Sequence, residues 1–501
     1  MERIERTKGG LYKASSSWIL THPDYNGWRH GDTRLLWIKG GAGKGKTMLL
    51  VGITKDLRPQ TRLDNPGAGS FLSFFFCQKT DNRLNNAVSI LKGLIYLLLV
   101  QDSSLVSYVK DDYNRMGREI FDASDNNANA FYELSRVFRQ MLQHPKSETV
   151  YLAIDALDEC EDGLDHLLGL IRETLENSRV KWIVTSRNQV NVNDSLALSL
   201  EVDSENVELA IKHYIEFKVS QIPSLKSKPT QRANVQETLL EKANGTFLWV
   251  DLTLRSIHNA LGDDVVRRIN EIPSGLTPLY KRMLEDIGQP GNYRNKCLVV
   301  LSMATLTKRP LHICELQTLA DLQGYGETDL EKIVDLCGSF LTLLESYIYS
   351  IHQSAKDYLV SEAAVNDIFP SGTYAVHHAI IEKSVTAMRA VLKRDMYKLE
   401  HPGTRVRDVR PRPPSEDPLF GVAYSCIYWI DHLCEMGRSL QNYTHSQLYT
   451  CDAVEPFLRE HFLHWLEALS LLRAVSNGAL SITKLKSSIP VSISNSGSVS
   501  I

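Results

Sequence analysis

Glycine stands at positions 40, 41, 43 and 45 of the run IKGGAGKGKTMLL, residues 38–50, and Lys46 and Thr47 follow the last of them. A residue without a Cβ lets the chain turn left-handed and lets a ligand touch bare backbone, so this loop can turn its N–H groups inward as an anion cradle. A helix starting near Lys46 adds the positive end of its dipole. The Lys46 ammonium and the Thr47 hydroxyl suit a β/γ-phosphate and the Mg²⁺ that accompanies it. Gly40-x-x-x-x-Gly45-Lys46-Thr47 fits the P-loop pattern at every fixed position. Gly40, Gly41, Ala42, Gly43, Lys44, Gly45, Lys46, Thr47 and Met48 are therefore expected to bind nucleotide, with Thr47 also on the metal. The bland alternative is a glycine-rich strand-to-helix turn that binds nothing, so the loop needs partners elsewhere in the chain.

A triphosphate is bound productively only with a cation, and the cation needs an acid at the end of a buried strand. The segment VYLAIDALDEC supplies one: the apolar run Val150–Ile154 delivers Asp155 at its carboxyl end, the edge where ligands bind in open α/β sheets. Asp155 is the expected magnesium residue. Asp158 and Glu159 offer a carboxylate to orient an attacking water, the alternative being charge at a helix N-terminus. The next apolar run, KWIVTSRN, ends on Arg187, placed to sense or stabilise the γ-phosphate unless it is a plain surface arginine. Guanine specificity usually needs Asn/Thr-Lys-x-Asp. Thr54-Lys55-Asp56-Leu57 and Asn295-Lys296-Cys297-Leu298 both fail it, so ATP is expected ahead of GTP.

These residues require a sheet to hold them. Up to about residue 202, apolar β-type runs alternate with helical patterns, which reads as a parallel sheet with helices on both faces. The expected strands are Arg34–Gly40, Ser70–Cys77, Thr149–Asp155, Lys181–Ser186 and Leu196–Val202. One strand, Ser70–Cys77, lies in chain order between the P-loop strand and the Asp155 strand, as in the P-loop branch of ATPase machines and switches. Residues 1–33 form a helical lead-in, 34–203 the nucleotide-binding domain and 204–310 a helical domain with helices at Val207–Val219, Phe247–His258, Leu276–Ile287 and Lys296–Ala304. Residues 311–369 read as a winged helix: Phe340–Leu344 and Tyr347–His352 pattern as a hairpin, and Ser354-Ala355-Lys356-Asp357 resembles a capping box opening the next helix. Residues 370–486 are helical, with aromatic residues in the core. A proline-dense loop at 401–418 interrupts them, and its Arg405, Arg407, Arg410 and Arg412 read as solvated. Residues 487–501 read as a loose, disordered tail.

Composition narrows the function further. The 501 residues leave room for roughly three domains. With 43% hydrophobic and 23% charged residues the chain is an ordinary globular one, and its net charge of −3 gives no electrostatic case for nucleic acid or an acidic membrane. Eight cysteines without a Cys-x-x-Cys pair predict neither a disulfide scaffold nor structural zinc. The charged start lacks a signal-peptide core, and the greasiest window, Ala87–Val100, is too short to span a membrane. A cytoplasmic location is expected.

With those pieces placed, the sequence resembles the NACHT domain of fungal NOD-like receptors, the group that includes vegetative-incompatibility proteins. The likeness is carried by GGLYKASSSWIL, RLLWIKGGAGKGKTML, FFFCQKTDNRLNNAVSILKGLIYLLL, YLAIDALDECEDG, WIVTSRN, NGTFLWVDL, IHQSAKDYL and FLREHFLHWLEALSLL, which together cover almost the whole chain. The resemblance implies a signalling NTPase of the STAND class, in which ADP keeps a closed monomer and exchange to ATP permits homo-oligomerisation with unidentified protein partners. It implies that His352 reaches the β-phosphate of ADP from the winged helix. Where many members have Met-His-Asp, this chain has Ile351-His352-Gln353, so the supporting acid is missing and a weaker clamp is expected. Members usually carry an effector domain ahead of the NACHT and repeats after it, and both are expected to be absent here. The competing expectation is a scaffold that holds nucleotide for stability without turnover.

Overall fold

The computed structural model describes residues 1–7, 13–110, 128–144, 149–190, 196–226, 228–257, 262–288, 293–399, 401, 403–410, 412–439 and 453–488. The chain divides into two compact units, Met1–Glu285 and Asp286–Ile501. The tail expected at 487–501 lies outside the described residues, except that Ser487 and Ser488 complete the last helix.

Unit one opens with four short helices, α1 (Glu2–Thr7), α2 (Lys13–Ser16), α3 (Trp18–Thr21) and α4 (Pro23–His30). There follow β1 (Leu35–Lys39), α5 (Lys46–Leu57), β2 (Phe71–Phe76), α6 (Ala87–Gln101), α7 (Ala128–Leu142), β3 (Val150–Asp155), α8 (Leu164–Thr174), β4 (Val180–Ser186) and β5 (Leu196–Ser199). All five strands are parallel, in the order β2-β3-β4-β1-β5. Strands covered on both sides read as unbroken apolar runs, and every residue of β3 is buried. Side chains alternate across the sheet. Leu35, Trp37, Phe71, Leu152, Ile154, Trp182 and Val184 face the core built with α6, α7 and α8. On the opposite face α5 packs on β3 and β4, and Trp28 of α4 meets Tyr151 with ring centroids 5.6 Å apart.

Five helices complete this unit: α9 (Ser204–Ser220), α10 (Pro229–Ala243), α11 (Phe247–Ile257), α12 (Gly262–Glu271) and α13 (Leu276–Glu285). The Lys242 ammonium donates to the carbonyls of Ile269, Asn270 and Ile272, satisfying the open end of α12. Trp249, fully buried, donates its Nε1–H to Pro273 O at 3.0 Å and so ties α11 to the start of α13.

Unit two comprises α14 (Arg294–Leu306), β6 (Leu311–His312), α15 (Ile313–Leu319), α16 (Glu327–Leu336), β7 (Leu341–Leu344), β8 (Tyr347–Ser350), α17 (Gln353–Leu359), α18 (Val365–Ile368), α19 (Gly372–Val391), α20 (Ala423–Ser439), α21 (Val454–Leu471) and α22 (Val475–Ser488). Strands β6, β8 and β7 form an antiparallel sheet, in that order. The β7–β8 turn uses Glu345 and Ser346, both at positive φ, which matches a two-residue hairpin to the twist of its strands. Arg309 and Glu315 form a buried two-pronged ion pair at 2.8 and 2.7 Å, and Glu315 also accepts from the backbone of His312 and of Tyr424. Trp429, Phe457 and Trp465 are at most 1% exposed, so the aromatic residues of α20 and α21 are core.

The capping box expected at Ser354 is not formed. His352 is the cap of α17, its Nδ1 accepting from Ser354 N at 3.1 Å. The imidazole sits two residues earlier and already occupies the role that a Ser354 hydroxyl would have filled. Ser354 instead places its Oγ 2.8 Å from the same ring nitrogen.

Candidate nucleotide site

The parallel sheet gathers the candidate residues of unit one because all its strands end on the same edge. Lys39 pairs in register with Ser186, Ile154 with Val184 and Phe76 with Asp155. Strand β4 therefore lies between the strand that leads into the glycine loop and the strand that carries Asp155. Gly40 N donates to Ser186 O at 3.2 Å, which fastens the loop's first residue to the end of β4.

The loop itself needs glycine at two positions. Gly43 has φ +75° and Gly45, the residue capping α5, has φ +88°. Space forbids a side chain as well: a Cβ on Gly43 would lie 2.7 Å from Thr246 Cγ2 and 2.8 Å from Leu248 Cβ, and one on Gly45 would lie 3.1 Å from the Phe247 ring. Residues 41–48 are half-buried, and the Lys46 ammonium folds back to donate to Gly40 O at 2.5 Å and Gly41 O at 2.8 Å. Glu201, just past β5, accepts from Gly41 N at 2.6 Å. The Lys44 ammonium lies over Gly245, 2.7 Å from where a Cβ would stand.

The segment Asn244-Gly245-Thr246-Phe247-Leu248 thus forms the outer wall of the loop, and Leu248 N donates to Gly43 O at 3.4 Å. Reading the chain for phosphate chemistry does not find this wall. Its residues are apolar or small, and their contribution is shape. Glu201 is missed for the same reason, since a lone glutamate after a strand has no signature.

Asp155 is 2% exposed and accepts from the Thr185 hydroxyl at 2.6 Å, while Thr185 Oγ1 in turn accepts from Ala156 N at 2.9 Å. A buried carboxylate held by a hydroxyl keeps its remaining lone pairs for other donors or a cation. Asp158 and Arg187 pair with each other: Arg187 N donates to Asp158 Oδ1 at 2.9 Å and the guanidinium Nε lies 3.3 Å from Oδ2. Glu159 accepts from Lys79 N at 3.0 Å, at the exit of β2. Nearby Cys77 and Cys160 are buried thiols whose pKa values burial raises, that of Cys160 to about 12. Neither is a thiolate at neutral pH.

The residues fit a magnesium–nucleotide complex. Two left-handed glycines open the cradle, a lysine is already seated in it, Thr47 lies in the first turn of the following helix, and a buried acid stands on the same sheet edge. Among the described residues no three His, Cys, Asp or Glu side chains cluster to hold a metal by themselves. No helix of the described residues is long and apolar enough to cross a membrane. His352 belongs to unit two. Its Nδ1 is occupied as the α17 cap, so its proton sits on Nε2, the nitrogen with which it would reach an anion.

The family signature described as Nephrocystin 3, N-terminal matches residues 14–187. Two solved structures share a distant likeness. One is C. elegans PCH-2, with TM-score 0.27, 10% identity, and coverage of 54% of this chain and 65% of that one. The other is Drosophila ORC bound to DNA, with TM-score 0.26, 13% identity, and coverage of 70% and 84%. Scores that low carry no argument. The vegetative incompatibility protein HET-E-1 of Podospora anserina is 40% identical over 97% of this chain, which spans 37% of that relative's length. By that identity over nearly the whole chain, the chain belongs to the NACHT-type family of fungal vegetative-incompatibility proteins.

Proposed function

We propose that the chain binds a nucleoside triphosphate with Mg²⁺, ATP ahead of GTP, and works as a nucleotide-operated signalling switch. Bound ADP holds a closed monomer, ATP opens it for homo-oligomerisation with further protein partners, and slow hydrolysis resets it. The observation that carries the reading is the meeting, at one sheet edge, of a glycine loop with Lys46 seated in it and the buried carboxylate of Asp155. In this reading Lys46 and the loop amides hold the phosphates, Thr47 and Asp155 hold the cation, Glu159 orients water, and Arg187 senses the γ-phosphate. The wall Thr246–Leu248 transmits the loop's state to the helices α9–α13, a role supported by its close packing against Gly43 and Gly45.

The wider role is read from the relative. The likeness to the Podospora protein supports an incompatibility-type signalling role in a fungus, and a cytoplasmic location is part of the same proposal. Within unit two, residues 311–369 serve as the winged helix and His352 as the ADP clamp, between a helical domain at 204–310 and the C-terminal helices.

A second reading has its own support: Arg187 is tied to Asp158 and Glu159 to Lys79, which favours nucleotide held without turnover. Extraction of bound nucleotide, followed by single-turnover hydrolysis beside a Lys46→Ala control, separates the two. Released ADP with slow phosphate production supports the switch. ATP that is retained and never cleaved supports a scaffold, and a wild-type protein that binds no better than Lys46→Ala sinks both.

A further inference from the structure

We propose that the N-terminal helix α1 is a strap that positions Glu159, with Arg3 as the positioning residue. The segments leaving β2 and β3 run side by side just beyond the sheet. Cys77 N donates to Asp155 O, Lys79 N to the Glu159 carboxylate, Glu161 N to Asn85 O and Ala87 N to Asp162 O. The Lys79 ammonium lies 3.1 Å from Glu161, and Asn85 donates its side-chain N–H to the same residue at 2.9 Å. The Lys79 backbone N–H is therefore one hold on the Glu159 carboxylate.

The Gln78 backbone pairs within its own loop, its N–H donating to Leu84 O and its carbonyl accepting from Asp81 N, while its side chain is held from outside. Arg3 Nη2 donates to Gln78 Oε1 at 2.9 Å, Ile4 is 6% exposed, and Glu5 pairs with Lys55 of α5 at 2.7 Å. Within two turns of helix, α1 grips the β2 exit through Arg3 and the phosphate-loop helix through Glu5. Residues 3–5 thus bridge the last turn of α5, the helix that the cradle starts, and the segment at the β2 exit that holds Glu159. Glu5–Lys55 is a partly exposed pair that contributes little to global stability, so what the strap fixes is geometry. A displacement of about 1 Å in a water-orienting group is enough to lower a rate substantially.

The inference rests on the reading of Glu159 as the group that orients water, and its test separates the two ideas. In the full chain, Arg3→Ala should lower kcat for MgATP by about tenfold, equivalent to about 1.4 kcal/mol of barrier, with KM and ADP affinity unchanged. Arg3→Lys should recover most of the rate, since an ammonium can also donate to the Gln78 carbonyl. Gln78→Ala should match Arg3→Ala, and the double variant should be no slower than either, as expected of two partners in one contact. Amide hydrogen exchange over residues 77–87 should quicken in Arg3→Ala, a readout that needs no turnover. If the wild type does not hydrolyse ATP, the hydrolytic reading fails while the exchange comparison still decides the strap. Unchanged exchange overturns the strap, and so does an unchanged kcat in a hydrolysing protein.

Discussion

Arg187 and Asp158 are joined twice, through the backbone N–H of Arg187 at 2.9 Å and through its guanidinium Nε at 3.3 Å. One of the two residues cannot act on a phosphate without loosening its hold on the other. Asp158 is 11% exposed and Arg187 28%, so the pair is partly screened and its rupture costs about 1 kcal/mol.

The pair makes a directional prediction. If Arg187 leaves Asp158 to meet a γ-phosphate, Asp158→Asn should tighten triphosphate binding several-fold while leaving diphosphate binding unchanged. Arg187→Ala should abolish the preference for ATP over ADP. Calorimetric titration of both nucleotides against both variants reads this directly, and equal changes for ATP and ADP would remove Arg187 from γ-phosphate sensing.

The two acids of the Asp155 segment should separate cleanly. Asp155 is buried against Thr185, whereas Glu159 hangs on Lys79 N beyond the strand end. Asp155→Asn should lose Mg²⁺-dependent nucleotide binding and all hydrolysis. Glu159→Gln keeps an acceptor for Lys79 N, so it should fold and bind normally yet lose turnover. Equal loss of binding in both variants would contradict this division of labour.

Gly43→Ala tests the wall behind the cradle. The added Cβ meets Thr246 and Leu248 at 2.7 and 2.8 Å and forces alanine to φ +75°, a combination worth about 1–3 kcal/mol of strain. Nucleotide affinity should fall and the melting temperature should drop. Thr246→Ser removes the Cγ2 that the new Cβ meets, whereas the Leu248 contact is with Cβ and yields only to Leu248→Gly, so Gly43→Ala combined with Thr246→Ser, and further with Leu248→Gly, should recover part of the affinity loss. No recovery would show that backbone strain alone is at work.

The positions of the strands were legible because fully buried parallel strands are unbroken apolar runs, and β3 and β4 end within a residue of where their sequence predicts. Gly40, Lys46 and Asp155 were legible for a different reason: phosphate chemistry demands those residue types at those spacings. The wall at Thr246–Leu248 was not, because it lies some two hundred residues from the loop it touches and acts by shape, for which periodicity holds no record. The cap of α17 is expected at Ser354, whereas His352, two residues earlier, provides it. Serine followed by an acid three positions later is the familiar pattern, and an imidazole accepting through Nδ1 is an uncommon substitute.

Acid should weaken unit two through one buried chain of groups. Lys308 N donates to the Tyr424 hydroxyl, which lies 2.7 Å from His432 Nε2, and His432 Nδ1 lies 2.8 Å from His377 Nδ1. With Tyr424 donating to Nε2, His432 carries its proton on Nδ1 and gives it to His377, so both rings are neutral. Burial, then the nearby Lys308 ammonium, lowers the pKa of His377 to about 4. Burial, then His377 and Lys308, holds His432 well below the usual histidine value. These depressed values mean that the unfolded chain takes up protons first. The contribution is full above the unfolded value of about 6.5 and is lost as pH falls towards 4, a change of about 3 kcal/mol for His377. Thermal melts between pH 7 and pH 4 should show a steep decline that His377→Asn flattens, and parallel pH profiles for the two proteins would contradict the assignment.

His352 bears two roles that one pair of substitutions can separate. As the cap of α17 it accepts from Ser354 N through Nδ1, which leaves Nε2 as the protonated nitrogen. A phosphate clamp needs that Nε2–H, whereas a cap needs only an acceptor at the position of Nδ1. His352→Ala removes both and should cost about 1 kcal/mol of stability from the cap alone. His352→Asn restores a good cap with its short carbonyl but cannot extend a donor to where Nε2 stood. If the imidazole holds ADP, both variants should release ADP about ten- to a hundredfold faster, as loss of a charge-assisted contact of about 1.5–3 kcal/mol requires, while only His352→Ala melts lower without nucleotide. If the histidine is structural, His352→Asn should match the wild type in ADP off-rate as well as in melting temperature. An off-rate indifferent to both substitutions would leave His352 as a helix cap and nothing more.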